Sequence, residues 1–159
     1  MNCTNSKNPI QIIRNAQWLK TLVLAHNIDL IHVRSRAPAW SVYLASKATG
    51  VPYLSTFHGY YGHRNALKRA YNSAMLRGKA CIAVSGFIKS HIHETYPWAR
   101  NIVQINRGVD CNVYCPEANA STSNSPFTLL MPGRFSELKN HDLLLDALED
   151  IPSDSVKVI

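Results

Sequence analysis

Short apolar runs alternate with helical stretches along most of this 159-residue chain, and that alternation leaves few folds open. Ile28 to Val33 is rich in β-formers, and Val51 to Phe57, Ala80 to Val84 and Ile102 to Ile105 repeat the pattern. Between them the spacing predicts helices over Pro38 to Thr49, Ala66 to Arg77 and Phe87 to Tyr96, with another, Ile10 to His26, ahead of the first strand. Gly50 and Gly78 each stand just before the next strand, where a helix C-cap belongs. Strands that alternate with helices pair in parallel through right-handed crossovers, so the fold class is α/β.

The pattern breaks at Glu117 to Pro126, which is polar, aperiodic and reads as a linker. A fresh unit comes next, with a strand over Phe127 to Met131, a break at Pro132-Gly133-Arg134, a helix over His141 to Asp150 and a strand over Ser155 to Ile159. The expected division is therefore residues 1–116, a linker at 117–126, and residues 127–159. Two strands and one helix cannot cover both faces of a sheet, as parallel sheets generally require, and the first unit opens on a helix with no strand before it. The expectation is an internal piece of a longer protein. Charge divides in the same way. Residues 1–116 carry 14 basic and 3 acidic side chains, a balance of +11, whereas 117–159 carry 3 basic and 7 acidic, a balance of −4. So basic a first unit suits a partner with negative charge: nucleic acid, anionic lipid or a phosphorylated substrate.

Composition narrows the class. With 46% hydrophobic and 17% charged residues the chain is globular and not disordered. The apolar run Leu22 to Ala25 is far too short to span a membrane. The first residues lack the basic region and apolar stretch of a signal peptide, which points to the cytoplasm. Cys3, Cys81, Cys111 and Cys115 show no zinc-site spacing and are expected to be reduced.

In open parallel sheets, ligands bind beyond the carboxyl ends of the strands. The expected strands lead, in turn, into Arg34-Ser35-Arg36, His58-Gly59, Ser85-Gly86, Asn106-Arg107-Gly108 and Gly133-Arg134. Glycines, cations, a histidine and small hydroxyls, with a helix N-terminus just beyond, suit a phosphate-bearing ligand. Each also has a plainer reading. Ser85 is placed to cap the helix near Phe87, Gly59 and Gly108 to serve turns with positive φ, His58 to be a hydrogen-bonded core histidine, and Arg34 and Arg36 to be solvated. There is no Gly-x-Gly-x-x-Gly, no P-loop and no nucleophile elbow. His91 and His93, two apart on a helix, face different sides and make a poor metal pair, so no metal site is expected.

Four segments in succession carry a resemblance: Val51-Pro-Tyr-Leu-Ser-Thr-Phe-His58-Gly59, then Cys81-Ile-Ala-Val-Ser85-Gly-Phe-Ile-Lys, then Asn106-Arg-Gly108-Val109-Asp110 with Tyr114 and Pro116, then Gly133-Arg134 with Lys139. In this order they resemble the family-4 type of retaining glycosyltransferases, which have the GT-B fold of two Rossmann-like domains. The resemblance implies an incomplete acceptor-side Rossmann-like domain followed by the start of a nucleotide-sugar-binding one. By the same resemblance His58 lies beside the donor sugar as the catalytic residue. Gly133, Arg134 and Lys139 hold the donor diphosphate, and Gly59, Ser85, Gly108 and Asp110 line the cleft. Members usually have glycine after the lysine, where this chain has Asn140. His58, Ser85, Gly108 and Gly133 are expected on one rim. The stretch holds about half of the implied site and is not expected to act alone.

The implied partners are a nucleotide-sugar donor, as substrate and without a cofactor or metal, and a hydroxyl acceptor on a glycan or lipid-linked glycan, as in lipopolysaccharide synthesis. The basic residues Arg64, Lys68, Arg69, Arg77 and Lys79 are the candidate contact with an anionic membrane, or else a solvated helix face. The alternatives are another GT-B enzyme, such as a nucleotide-sugar epimerase or a phosphorylase, and a non-catalytic nucleic-acid-binding protein. Against the last, no binding motif is present and aromatics are not interleaved with the charges.

Overall fold

The computed structural model describes residues 8–62, 65–115, 126–137 and 139–159. Its contacts divide the chain into two compact units, residues 1–108 and 109–159. The expected linker, apart from Pro126, lies outside the described residues, as do Cys3, Arg64 and Pro116.

The first unit runs α1 (Pro9–Ala25), β1 (Ile31–Val33), α2 (Arg36–Thr49), β2 (Tyr53–Phe57), α3 (Ala66–Asn72), a 3-10 turn (Ser73–Leu76), β3 (Ala80–Ala83), α4 (Gly86–Thr95) and β4 (Ile102–Gln104). Its four strands pair in parallel in the order β1-β2-β3-β4. Local chemistry sets the boundaries. Asn8 accepts from the Ile10 N–H at 2.9 Å ahead of Pro9, and Asn65 accepts from the Lys68 N–H at 2.8 Å, so both helices start on a side-chain cap. The helix α2 begins two residues before Pro38, which sits harmlessly in the first turn, where an N–H has no partner inside the helix. Ile28 falls outside β1 because its N–H closes the end of α1 onto the Val23 carbonyl at 3.0 Å, past Asn27 at φ 49. The third helix tightens at Ser73, whose hydroxyl and N–H both donate to the Ala70 carbonyl.

All the strand residues of the main core lie on one side of the sheet. By register Ile31 and Val33, Tyr53 to Phe57 in alternation, Cys81 and Ala83 share a face, and there Val33, Tyr53, Phe57, Cys81 and Ala83 pack with Val42, Met75, Ile88 and Ile92 of the covering helices. Burial on this scale contributes about 1.5–3 kcal/mol for each large side chain. The Tyr53 hydroxyl donates to the Ala74 carbonyl at 2.6 Å, and Ser55 donates to the Met75 carbonyl, which ties β2 to the 3-10 turn. The Ser41 hydroxyl reaches the Ile12 carbonyl at 3.1 Å and ties α2 to α1. The opposite face carries His32, Leu54, Thr56, Ile82 and Val103. Only Thr56 of these is buried, and Val103 is 47% exposed. Among the described residues, no helix is long and apolar enough to cross a membrane.

Gly50 is the C-cap of α2 at φ 78, as its position before a strand predicts. Gly78 has a different reason. A Cβ there would lie 2.5 Å from the Tyr53 carbonyl oxygen and 2.8 Å from its ring, while the next N–H, of Lys79, donates to that same carbonyl at 2.8 Å. Close approach to Tyr53, and not a helix cap, requires glycine.

The second unit contains β5 (Phe127–Leu129), α5 (His141–Leu148) and β6 (Val156–Val158). Its two strands are parallel, with Phe127 opposite Val156 and Leu129 opposite Val158. Asn140, immediately before α5, has φ 50 and ψ 53. That is left-handed backbone, which glycine adopts freely and asparagine tolerates best among the others.

These local geometries set the expected stabilities of four variants. Gly78→Ala should cost about 1–3 kcal/mol as overpacking against Tyr53, while Gly62→Ala, with nothing within 4 Å of its added carbon, stays within about 0.5 kcal/mol. Urea-denaturation midpoints check both. Asn140→Gly should be close to neutral, whereas Asn140→Val should destabilise the second unit by about 1–2 kcal/mol; amide hydrogen exchange along α5 reads the difference.

Candidate functional site

In the first unit the residues after β2 and β4 meet. His58 directly follows β2 and is half-buried, and Arg107 lies three residues beyond β4. One guanidinium nitrogen of Arg107, Nη2, donates to His58 Nδ1 at 3.1 Å and lies 3.4 Å from the His58 carbonyl oxygen. The arm that carries Arg107 is anchored, because the Ile105 N–H extends the ladder onto the Ala83 carbonyl at 3.0 Å. Burial, and after it the positive charges of Arg107 and Arg34 and the neighbouring His32, hold the His58 imidazole below its ordinary pKa. His32 on β1 pairs its Nε2 with the Thr56 hydroxyl at 2.8 Å. The edge is thus a cluster of imidazoles and guanidinium groups that favours an anion.

The other expected residues of this edge divide. Ser85 is the N-cap of α4, its hydroxyl accepting from the Ile88 N–H at 3.3 Å, so its plainer reading describes its contact. Gly59 and Gly108 have neither left-handed backbone nor any atom within 4 Å of where a Cβ would be, so the turn reading does not hold for them. Arg36 is not simply solvated: it stacks on Tyr61 at 4.3 Å and reaches the Asn72 side chain at 3.4 Å. Asp110 belongs to the second unit, where its carboxylate accepts from the Asn112 N–H at 2.9 Å and so closes a turn.

The second unit brings its own three residues to one loop. After β5, Gly133 lies against the start of α5: a Cβ on it would be 3.4 Å from the His141 ring and 3.5 Å from Lys139 Cγ. Two N–H groups, of Lys139 and Asn140, donate to the Ser136 carbonyl at 2.9 and 3.1 Å and turn the chain into the helix. Phe135 packs on the His141 ring with centroids 4.8 Å apart. Arg134 and Lys139 are exposed. Two cations beside a helix N-terminus can bind a diphosphate through charge-assisted hydrogen bonds. His141 was not singled out by the sequence, and the only sign of it is its place as the first helical residue.

Elsewhere, Cys81 is buried in the core, which pushes its thiol up to about 11, so it is inert. Cys111 and Cys115 are exposed free thiols. His91 is buried and stacked on Tyr60 at 4.3 Å, whereas His93 is exposed, so the two do face different sides. Among the described residues no three His, Cys, Asp or Glu side chains gather as a metal site. In the basic group on α3 and beyond, Lys68, Arg69 and Lys79 are exposed. Arg77 is exposed as well, but its guanidinium lies 5.6 to 5.8 Å from the ring centroids of Trp40, Tyr43 and Trp98.

Comparison with known proteins matches the chain to a family. Residues 2–113 match the model of Glycosyltransferase Family 4. The crystal structure of a glycosyltransferase from Rickettsia africae ESF-5 is 41% identical with a TM-score of 0.74, covering 99% of this chain and 45% of that one. Anabaena Alr3699/HepE, solved in complex with UDP and glucose, shares the fold at 19% identity and a TM-score of 0.72, over 93% of this chain and 41% of its own. The UDP-N-acetylglucosamine 2-epimerase from Rickettsia bellii has a fold likeness at 11% identity and a TM-score of 0.54, over 97% of this chain and 52% of its own. No curated protein matches the sequence. The chain spans about half, or less, of the length of these solved structures. The parallel α/β architecture is that of GT-B glycosyltransferases, as the order of motifs implied. On the family match over most of its length, the chain belongs to glycosyltransferase family 4.

Proposed function

We propose that the protein serves a retaining glycosyltransferase that moves a sugar from a nucleoside-diphosphate sugar to a hydroxyl acceptor. The observation that carries this reading is the 41% identity, over 99% of the chain, with a glycosyltransferase. The two half-sites support it. The Gly133 loop, with Arg134 and Lys139, takes the donor diphosphate, and His58 acts beside the donor sugar. The two cations and the N-terminus of α5 stabilise the negative charge that builds on the departing diphosphate, and do so without a metal. A leaving group that departs from the face at which the acceptor attacks would retain the anomeric configuration. The Anabaena complex with UDP and glucose makes UDP-glucose the first donor to try.

The acceptor in this reading is a glycan or a lipid-linked glycan. Lys68, Arg69 and Lys79 would then rest on an anionic membrane. The epimerase alternative has a fold likeness alone behind it, at 11% identity. An epimerase turns over its nucleotide sugar without an acceptor, and a transferase of this kind does not.

Donor binding and turnover are both tested on the full-length protein. Nucleoside-diphosphate sugars should raise the melting temperature, with about 2.7 kcal/mol of stabilisation at a hundredfold excess over Kd. Arg134→Ala and Lys139→Ala should each weaken donor binding about tenfold to a hundredfold, since each removes a contact worth about 1.5–3 kcal/mol. His58→Ala should lower turnover more than donor affinity. No stabilisation by any nucleoside-diphosphate sugar, together with an Arg134→Ala variant unchanged in binding and turnover, would refute the transferase reading. Activity lost to a chelator would overturn its metal-free part.

A further inference from the structure

We propose that Arg107 is a positioning residue that locks His58 as the neutral imidazole protonated on Nε2, so that His58 serves the site as a hydrogen-bond donor and not as a base. A guanidinium group has N–H donors and no acceptor. The 3.1 Å contact from Arg107 Nη2 to His58 Nδ1 therefore requires a lone pair on Nδ1. A neutral imidazole has one proton, and it must then be on Nε2. A second proton would set an N–H on Nδ1 against the guanidinium N–H and add a like charge at the same distance. The same Nη2 lies 3.4 Å from the His58 carbonyl oxygen, so one group faces both ring and backbone of one residue. Those two residues are 49 apart in sequence and come from the ends of β2 and β4, with β3 between them.

Among the described residues, the charged and titratable groups that act on the His58 ring are Arg107, Arg34 and His32, all of which disfavour a cationic ring. No acid among them offsets the arrangement. With Nδ1 occupied and Nε2 protonated, the ring has no free lone pair with which to take a proton. What it can offer is Nε2–H, to an oxygen of the bound ligand. That a sugar oxygen receives it rests on the transferase reading; the locked tautomer does not.

Nitrogen NMR of the histidine rings tests the tautomer in the unaltered chain, and Arg107→Met and Arg107→Lys test its cause. The expected result is an unprotonated Nδ1 and a protonated Nε2 at neutral pH, and a titration midpoint that moves to higher pH in Arg107→Met. Arg107→Lys, which keeps the charge but not the planar fork, should fall between the two. In the full polypeptide, Arg107→Met should lower kcat about tenfold with donor KM little changed, move the acidic limb of the kcat profile to higher pH, and be partly rescued by Arg107→Lys. A wild-type ring protonated on Nδ1, or a midpoint identical in wild type and Arg107→Met, overturns the lock. A shifted midpoint with unchanged kcat overturns the positioning role. If no nucleotide sugar binds or turns over, the transferase reading fails and the NMR result still decides the lock.

Discussion

Parallel pairing of sequential strands is the constraint on which the rest of this structure depends. When β1, β2, β3 and β4 run side by side in one direction, every crossover must return the chain to the same end of the sheet. Each strand then delivers its last residue to one common edge. That is how His58 and Arg107 come within 3.1 Å although 49 residues separate them. The direction of the crossovers has a second effect. In the first unit the main core gathers on one face, around Phe57, Met75 and Ile92, and the other face is left with Leu54, Ile82 and Val103 partly open to water.

Most of the fold was legible in the sequence because its strands are short and apolar and α1, α3 and α4 start on side-chain caps. The strands and α-helices among the described residues fall where the alternation places them. What was not legible is what tertiary contact decides. Ala66 to Arg77 has helical spacing throughout, but Ser73 donates twice to the Ala70 carbonyl and the last turn tightens. Gly78 stands where a helix-capping glycine would, and only the structure shows that the Tyr53 carbonyl and ring leave no room for a side chain.

The candidate site was nominated in outline for a similar reason. A rule about strand ends nominates residues without knowing what they touch. It finds His58, and it finds the Gly133 loop with its exposed cations. It cannot tell a residue whose polar atoms face the edge from one whose polar atoms are engaged locally. Ser85 caps α4 and the Asp110 carboxylate closes a turn, both within three residues of themselves. Conversely, the link between Arg107 and His58 has no local signature, since two hydrogen-bond partners so far apart leave no spacing to read. Asn140 is an intermediate case: the sequence marks it as a position where glycine is usual in the resembling family, and its φ of 50 is a left-handed backbone that glycine adopts freely.

The stacking of Arg77 changes what the charge of the first unit means. A guanidinium beside Trp40 and Tyr43 of α2 and Trp98 after α4 counts fully in the net charge, yet it also sits within cation–π reach of three rings. Exposed lysines such as Lys68 and Lys79 are felt by a distant anion only within about 8 Å in physiological salt, and are muted as salt rises. The attraction between the Arg77 group and rings it already touches is far less open to screening by ions. High ionic strength would thus strip this surface of its reach while leaving its cohesion in place.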